Sequence, residues 1–172
     1  MGKLTLVLGG ARSGKSNFAM ERAKKANSVL YIATYRRTGD KEMEGRIKNH
    51  KKIRPKNWKV VEEPIDLSKA IKRKAKNFQV ILIDCITLWI SNLILKEKTA
   101  QEILEEVQRL MTMIKRTNSK FILVSNEVGL GVVPDTKLGR EFRDIAGMVN
   151  QIITQNAHQM YFMVAGIPMK II

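Results

Sequence analysis

The sequence predicts an α/β fold, a three-layer sandwich whose mostly parallel sheet is covered by helices on both sides. Three observations point to it. Short apolar, β-prone runs alternate along the chain with segments of helical periodicity. These runs are apolar at successive positions, as strands buried on both faces must be. The first run also passes through a glycine-rich loop into a helix.

The elements follow in order. Lys3–Leu8 (KLTLVL) reads as a strand that ends at Gly9-Gly10. Lys15–Lys25 carries Phe18, Ala19, Arg22 and Ala23 at helical spacing. Val29–Ala33 (VLYIA) is a second buried strand. Asp40 suits a helix N-cap, Met43 and Ile47 give that helix its apolar stripe, and Pro55 stops it. Trp58–Val61 suits a short strand. Leu67, Ala70, Ile71 and Ala75 mark an amphipathic helix, and Val80–Ile83 (VILI) is a core strand ending in Asp84. Two helical stretches follow, Ile86–Leu95 and Ala100–Lys115. Phe121–Val124 (FILV) is the next core strand. Asp135 is placed to cap a helix running to Asn156, and Met160–Ala165 (MYFMVA) is the last strand. No linker or internal repeat divides the chain, so residues 1–172 are expected to form one nucleotide-binding domain.

Composition narrows the classes. At 44% hydrophobic and 27% charged residues, the chain is globular rather than disordered throughout. One cysteine, Cys85, excludes an intramolecular disulfide framework and a cysteine zinc cluster. The most apolar stretch, Val80–Leu95, is broken by Asp84, Ser91 and Asn92, too short for a membrane span. Met1-Gly2-Lys3 leads directly into a strand and does not read as a signal peptide, so a cytoplasmic location is expected. The formal charge is +15, which favours polyanions or phosphate ligands. Between Arg36 and Lys76 there are 15 Lys or Arg against 6 Asp or Glu. Trp58 is the one aromatic within that stretch, with Phe78 just beyond its end and Tyr35 just before its start, a poor stacking surface for single strands. A solvated lysine-rich face accounts equally well for these charges.

Gly9–Ser16 (GGARSGKS) fits G-x-x-x-x-G-K-[ST], with a strand before it and a helix after. Its glycines let backbone N–H groups turn toward phosphate oxygens, and the helix N-terminus adds partial positive charge. Lys15 would reach the β- and γ-phosphates, and the Ser16 hydroxyl would ligate Mg²⁺. Asp84, at the end of an apolar strand, is placed to hold the same Mg²⁺; the alternative is a carboxylate capping the next helix. The expected fold is therefore a P-loop NTPase sandwich, RecA-like.

His50 lies four residues after Arg46 and four before Arg54, which places all three on one face of the expected helix. Two cations beside an imidazole disfavour its charged form. A neutral ring keeps the lone pair that a nucleophile needs, and the arginines could grip the phosphate under attack. The alternative is an exposed histidine among surface charges. His158, at a helix-to-strand junction, reads as structural.

Six segments together resemble the bifunctional adenosylcobinamide kinase / adenosylcobinamide-phosphate guanylyltransferase family of cobalamin biosynthesis. They are GGARSGKS, YIAT (Tyr31–Thr34), RIKNHKKIRPKNW (Arg46–Trp58), ILIDCITLW (Ile81–Trp89), SNEVGLGVVPDTKLGREFRDIAGMVNQ (Ser125–Gln151) and VAGIPMKI (Val164–Ile171). The resemblance covers nearly the whole chain. It implies that ATP or GTP phosphorylates adenosylcobinamide. GTP then gives GMP to a histidine, matched by His50, and the GMP passes to adenosylcobinamide phosphate with loss of pyrophosphate.

By the same matching, Gly9, Gly10, Ala11, Arg12, Ser13, Gly14, Lys15 and Ser16 would bind the nucleotide phosphates. Ala33, Thr34, Tyr35, Lys51, Lys52, Ile53, Arg54, Glu62 and Asp84 would complete the nucleotide site. Glu127 is a candidate base for the kinase step. A homotrimer with sites between subunits is implied, with a small-molecule corrinoid and nucleotides as partners and neither nucleic acid nor stable membrane insertion. Asn49 stands where some relatives carry a second histidine, and Asp84 where some carry Glu. Two other readings compete. A P-loop kinase of another small alcohol would leave the Arg46–His50–Arg54 face unexplained. A nucleic-acid-associated ATPase would have charge but no recognisable reading element.

Overall fold

Residues 2–36, 39, 45 and 53–172 are described by the structure, a computed structural model. Seven strands follow one another as β1 (Leu4–Gly9), β2 (Val29–Ala33), β3 (Lys59–Glu62), β4 (Val80–Asp84), β5 (Lys120–Asn126), β6 (Gln159–Val164) and β7 (Ile167–Lys170). They form one sheet in the order β3-β2-β4-β5-β1-β6-β7. Among the described residues, β6 and β7 pair antiparallel and the other pairings are parallel. The helices are α1 (Lys15–Ala23), α2 (Leu67–Lys74), α3 (Ile86–Ile94), α4 (Ala100–Lys115) and α5 (Lys137–Asn156), with a 3₁₀ turn at Ala75–Asn77. The mostly parallel sheet expected from the sequence is therefore present.

Alternation along each strand divides the core between the two faces. Leu4, Leu6, Leu30, Ile32, Ile81, Ile83, Phe121 and Leu123 pack under α2, α3, α4 and α5. Val7, Tyr31, Val80, Leu82, Ile122 and Val124 pack on the other face with Ala19, Met20 and Ala23 of α1 and with Trp58. This is the three-layer arrangement. β5 lies between β1 and β4, so the strand of the phosphate loop and the strand of Asp84 are separated by one strand.

Three details differ from the sequence expectation. β7 was not expected: Ile167–Lys170 is short, fully exposed and contains Pro168, features of a tail. The proline is tolerated at the end of the described sheet, where β7 has a partner on one side. The strand expected at Trp58–Val61 begins one residue later, because Trp58 is buried against the core rather than paired. The cap of α5 is Thr136, not Asp135: the Thr136 hydroxyl accepts from the Gly139 N–H at 3.1 Å. The helix expected from Asp40, with Met43 and Ile47, lies outside the described residues.

Thr136→Ala is accordingly expected to cost about 1 kcal/mol in urea unfolding. Asp135→Ala should stay within about 0.5 kcal/mol. The reverse order would restore Asp135 as the cap.

Lys69, Lys72 and Arg73 of α2 are exposed, opposite buried Leu67, Ala70 and Ile71, so this part of the basic excess is a solvated face. His158 is structural as expected. Its Nδ1 accepts from the Leu4 N–H at 3.1 Å, and its backbone N–H donates to the Leu4 carbonyl at 2.8 Å. No described helix is long and apolar enough to cross a membrane.

Candidate active site

The phosphate loop occupies the turn from β1 to α1. Gly14 caps α1 with φ 90° and no side-chain hydrogen bond, so no side chain of this cap takes the first N–H groups of the helix. No acidic residue lies in that first turn. The helix end therefore keeps its partial positive charge for an anion. Gly9 is required by close approach: a Cβ there would lie 2.6 Å from the Met163 carbonyl oxygen. Arg12 adopts φ 54°, a left-handed conformation uncommon for a side-chain-bearing residue, at the loop's exposed tip. Lys15 is buried at 7% exposure, and its Nζ donates to the Gly10 carbonyl and, at 3.4 Å, to Ser13 Oγ. Burial lowers its pKa, while Cys85 and Asp84 oppose that shift. Ser16 lies half-buried in the first turn.

Sequence reasoning missed a brace on this loop. The β6–β7 turn places Gly166, at φ 87°, so that its N–H donates to the Ser13 carbonyl at 3.0 Å. A Cβ on Gly14 would lie 3.3 Å from Gly166 Cα. The available signal was Ala165-Gly166 between two apolar runs, a hairpin cue.

Asp84 ends β4 at the same carboxyl edge of the sheet, the side on which open α/β sheets bind ligands. It does not cap α3: that cap is Cys85, which makes no side-chain cap bond. Asp84 Oδ2 instead accepts from the Tyr31 hydroxyl at 2.8 Å. Burial, then Asp84, raises the Tyr31 pKa, so the phenol remains a donor. The Arg54 guanidinium lies over the Tyr31 ring, 3.8 Å from Cζ to centroid. Tyr31 thus joins two residues expected at the site, Asp84 and Arg54.

Thr34 is fully buried and acts as a clamp: its hydroxyl accepts from Cys85 N at 2.8 Å and donates to Cys85 O at 2.7 Å. Its carbonyl accepts from Asn92 Nδ2 at 2.7 Å. Ala33 pairs with Asp84 on one side and Glu62 on the other, which brings the ends of β2, β3 and β4 together. Tyr35 keeps a buried hydroxyl that has no hydrogen-bond partner among the described residues. Ile53 is exposed. His50, Lys51, Lys52 and Arg46 lie outside the described residues.

Beside the loop, Gly9 pairs with Asn126, and the Glu127 N–H donates to the Gly9 carbonyl at 3.0 Å. Asn126 Nδ2 donates to Thr87 Oγ1 at 2.7 Å. Glu127 Oε1 accepts from the Gly129 N–H at 2.6 Å. The carboxyl edge therefore combines an anion-binding loop, a desolvated ammonium and a hydrogen-bonded carboxylate. That set can bind a nucleoside triphosphate and neutralise charge transferred at its phosphates.

Comparisons with known proteins bear on the family and the fold. A family profile described as cobinamide kinase / cobinamide phosphate guanyltransferase matches residues 5–171. The bifunctional adenosylcobalamin biosynthesis protein CobP of Pseudomonas aeruginosa is 41% identical over 167 residues, covering 96% of this chain and 95% of the relative. The proteins named CobU, with the same bifunctional description, are 38% identical in Escherichia coli and 40% in Salmonella typhimurium, each over 180 residues, 98% of this chain and 99% of the relative. Among solved structures, a KaiC-like protein of Pyrococcus horikoshii superposes with a TM-score of 0.53 at 18% identity. The match covers 93% of this chain and 70% of that one, a likeness of fold alone.

Proposed function

The chain belongs to the cobinamide kinase / cobinamide phosphate guanyltransferase family, and from that premise we propose how its residues divide two reactions. It is a bifunctional enzyme of adenosylcobalamin biosynthesis that uses nucleotide substrates. In the kinase step, the aminopropanol hydroxyl of adenosylcobinamide attacks the γ-phosphorus of ATP or GTP, and the nucleoside diphosphate leaves. Gly9–Ser16 grips the phosphates through backbone N–H groups. Lys15 exchanges its Gly10 partner for a phosphate oxygen, which neutralises charge without solvent reorganisation.

In the transferase step, a nitrogen of His50 attacks the α-phosphorus of GTP. An N–P bond forms and the bond to pyrophosphate breaks. A phosphate oxygen of adenosylcobinamide phosphate then displaces His50, releasing adenosylcobinamide-GDP. The covalent intermediate splits one displacement into two. Arg54, whose guanidinium lies over the Tyr31 ring, would bind phosphate, and Lys51, Lys52, Ile53, Ala33, Tyr35 and Glu62 would line the nucleotide in this reading.

Ser16 and Asp84 fit Mg²⁺, because both offer the hard oxygen donors it prefers. No group of three or more His, Cys, Asp or Glu side chains forms a metal cluster among the described residues. That suits an ion drawing most of its ligands from phosphates and water. When bound, Mg²⁺ would draw negative charge off the phosphates.

The homotrimer belongs to the same proposal, as do the single domain and the cytoplasmic location. Exposed Ile167, Met169 and Ile171 at the β7 edge, with Leu130 (81% exposed) and Val132 (92%), offer apolar surface for contact between copies.

The single observation that carries the reading is the phosphate loop with buried Lys15, at the sheet edge where β4 ends in Asp84. The test uses GTP labelled at the α- or the γ-phosphate with purified protein and divalent metal. Label from the α position should stay on denatured protein, labile to acid and stable to base, and label from the γ position should not. Absence of retained α-label, with GTP bound, would leave a P-loop kinase without a covalent transferase step.

A further inference from the structure

We infer that Tyr31 is a positioning residue of this site: its hydroxyl orients the Asp84 carboxylate while its ring carries the Arg54 guanidinium. The inference rests on the proposed reading of Asp84 as the metal-side carboxylate and of Arg54 as a phosphate-binding group.

The sheet register brings these groups together. Tyr31 pairs with Leu82, and Asp84 lies two residues further along β4, on the same face of the sheet. Two residues of strand rise about 6.6 Å, roughly the reach of a tyrosine side chain. The phenol accordingly meets Asp84 Oδ2 at 2.8 Å. Rotation of an aspartate about its last torsion is broad, so an isolated carboxylate at a strand end has no fixed orientation. One strong donor removes that freedom and engages one oxygen, leaving Oδ1 to face an ion.

Tyr31 is itself immobile. It is 1% exposed, and its ring stacks on Trp58 with centroids 6.4 Å apart. The other side of its role is the arginine. A guanidinium 3.8 Å from the ring is attracted to its π-face. Arg54 Nε is buried and has no hydrogen-bond partner among the described residues, so a donor remains for an anionic ligand. Packing alone would be served by phenylalanine. The hydroxyl is explained by the carboxylate it holds, because a buried hydroxyl without a partner is costly.

The test uses the full chain, a non-hydrolysable GTP analogue and Mn²⁺ as the metal probe, with free Mn²⁺ read by electron paramagnetic resonance. Tyr31→Phe keeps the ring, the Trp58 stack and the Arg54 contact. It is expected to weaken Mn²⁺ binding in the ternary complex by about 10-fold, the effect typical of a group that orients a metal ligand. Metal-free analogue affinity should hold, and the thermal midpoint should fall by only a few degrees, as loss of one hydrogen bond does. Asp84→Asn should weaken Mn²⁺ further. Tyr31→Leu should also lose metal-free analogue affinity, and adding Arg54→Ala to it should cost less than Arg54→Ala does alone, since both changes disturb one contact.

If Asp84→Asn weakens Mn²⁺ and Tyr31→Phe does not, the inference fails while the reading of Asp84 stands. If Asp84→Asn has no effect, that reading fails and the inference with it. Additive losses from Tyr31→Leu and Arg54→Ala would overturn the arginine half.

Discussion

Replacing Lys15 with methionine is expected to lower phosphoryl and guanylyl transfer by about 10²- to 10³-fold each, with the fold retained. The magnitude follows from the state of the ammonium. It is buried among β1, α1 and the loop, its pKa is lowered by desolvation, and its partners are a loop carbonyl and a hydroxyl. It is therefore already stripped of most water before phosphate arrives. A desolvated cation stabilises developing charge more than a hydrated one, because the surrounding dielectric is low. Methionine matches the length and apolar stem, so the thermal midpoint should hold or rise. Measuring kcat/KM separately with adenosylcobinamide and with its phosphate checks both reactions. A loss under tenfold in both would remove Lys15 from the chemistry.

His50→Ala is expected to separate the two activities. Guanylyl transfer should fall by about 10³-fold or more, as removal of a covalent nucleophile does. Kinase activity should stay within a few-fold, because attack at the γ-phosphate needs positioning and charge neutralisation but no enzyme nucleophile. The measurement is product formation from each acceptor with the same enzyme preparation. Equal loss of both activities would make His50 a binding residue shared by the two steps.

The residues that announce this protein in sequence are those whose role is local. Gly9–Ser16 reads directly because the turn, the helix start and the ammonium all lie within eight consecutive residues. β2, β4 and β5 read directly because burial on both faces demands unbroken apolar runs. β7 does not, since its residues are exposed and hold a proline, and only pairing with β6 makes them a strand. Thr136 and Asp135 are adjacent and both are good caps, so one residue of backbone phase decides between them. The Tyr31–Asp84–Arg54 contact was hidden for a different reason. Tyr31 looks like one more apolar residue of a core strand, and its partners come from other elements through sheet register. Sequence spacing describes helix faces and short loops well. It carries no record of which distant strands become neighbours.

The position of β1 has a consequence for biosynthesis of the chain. Within this sequence β1 leaves the ribosome well before β5 and β6, the two strands that flank it. Until they arrive, the glycine loop has neither its neighbouring strands nor the Gly166 contact that braces it. Nascent polypeptide therefore holds its phosphate-binding motif unformed until β5 and β6 have emerged, and sequence-distant pairing of this kind is slow to establish. Cellular nucleotide cannot guide the emerging chain. It can only reward the finished one, by binding the native state and drawing the last folding step forward.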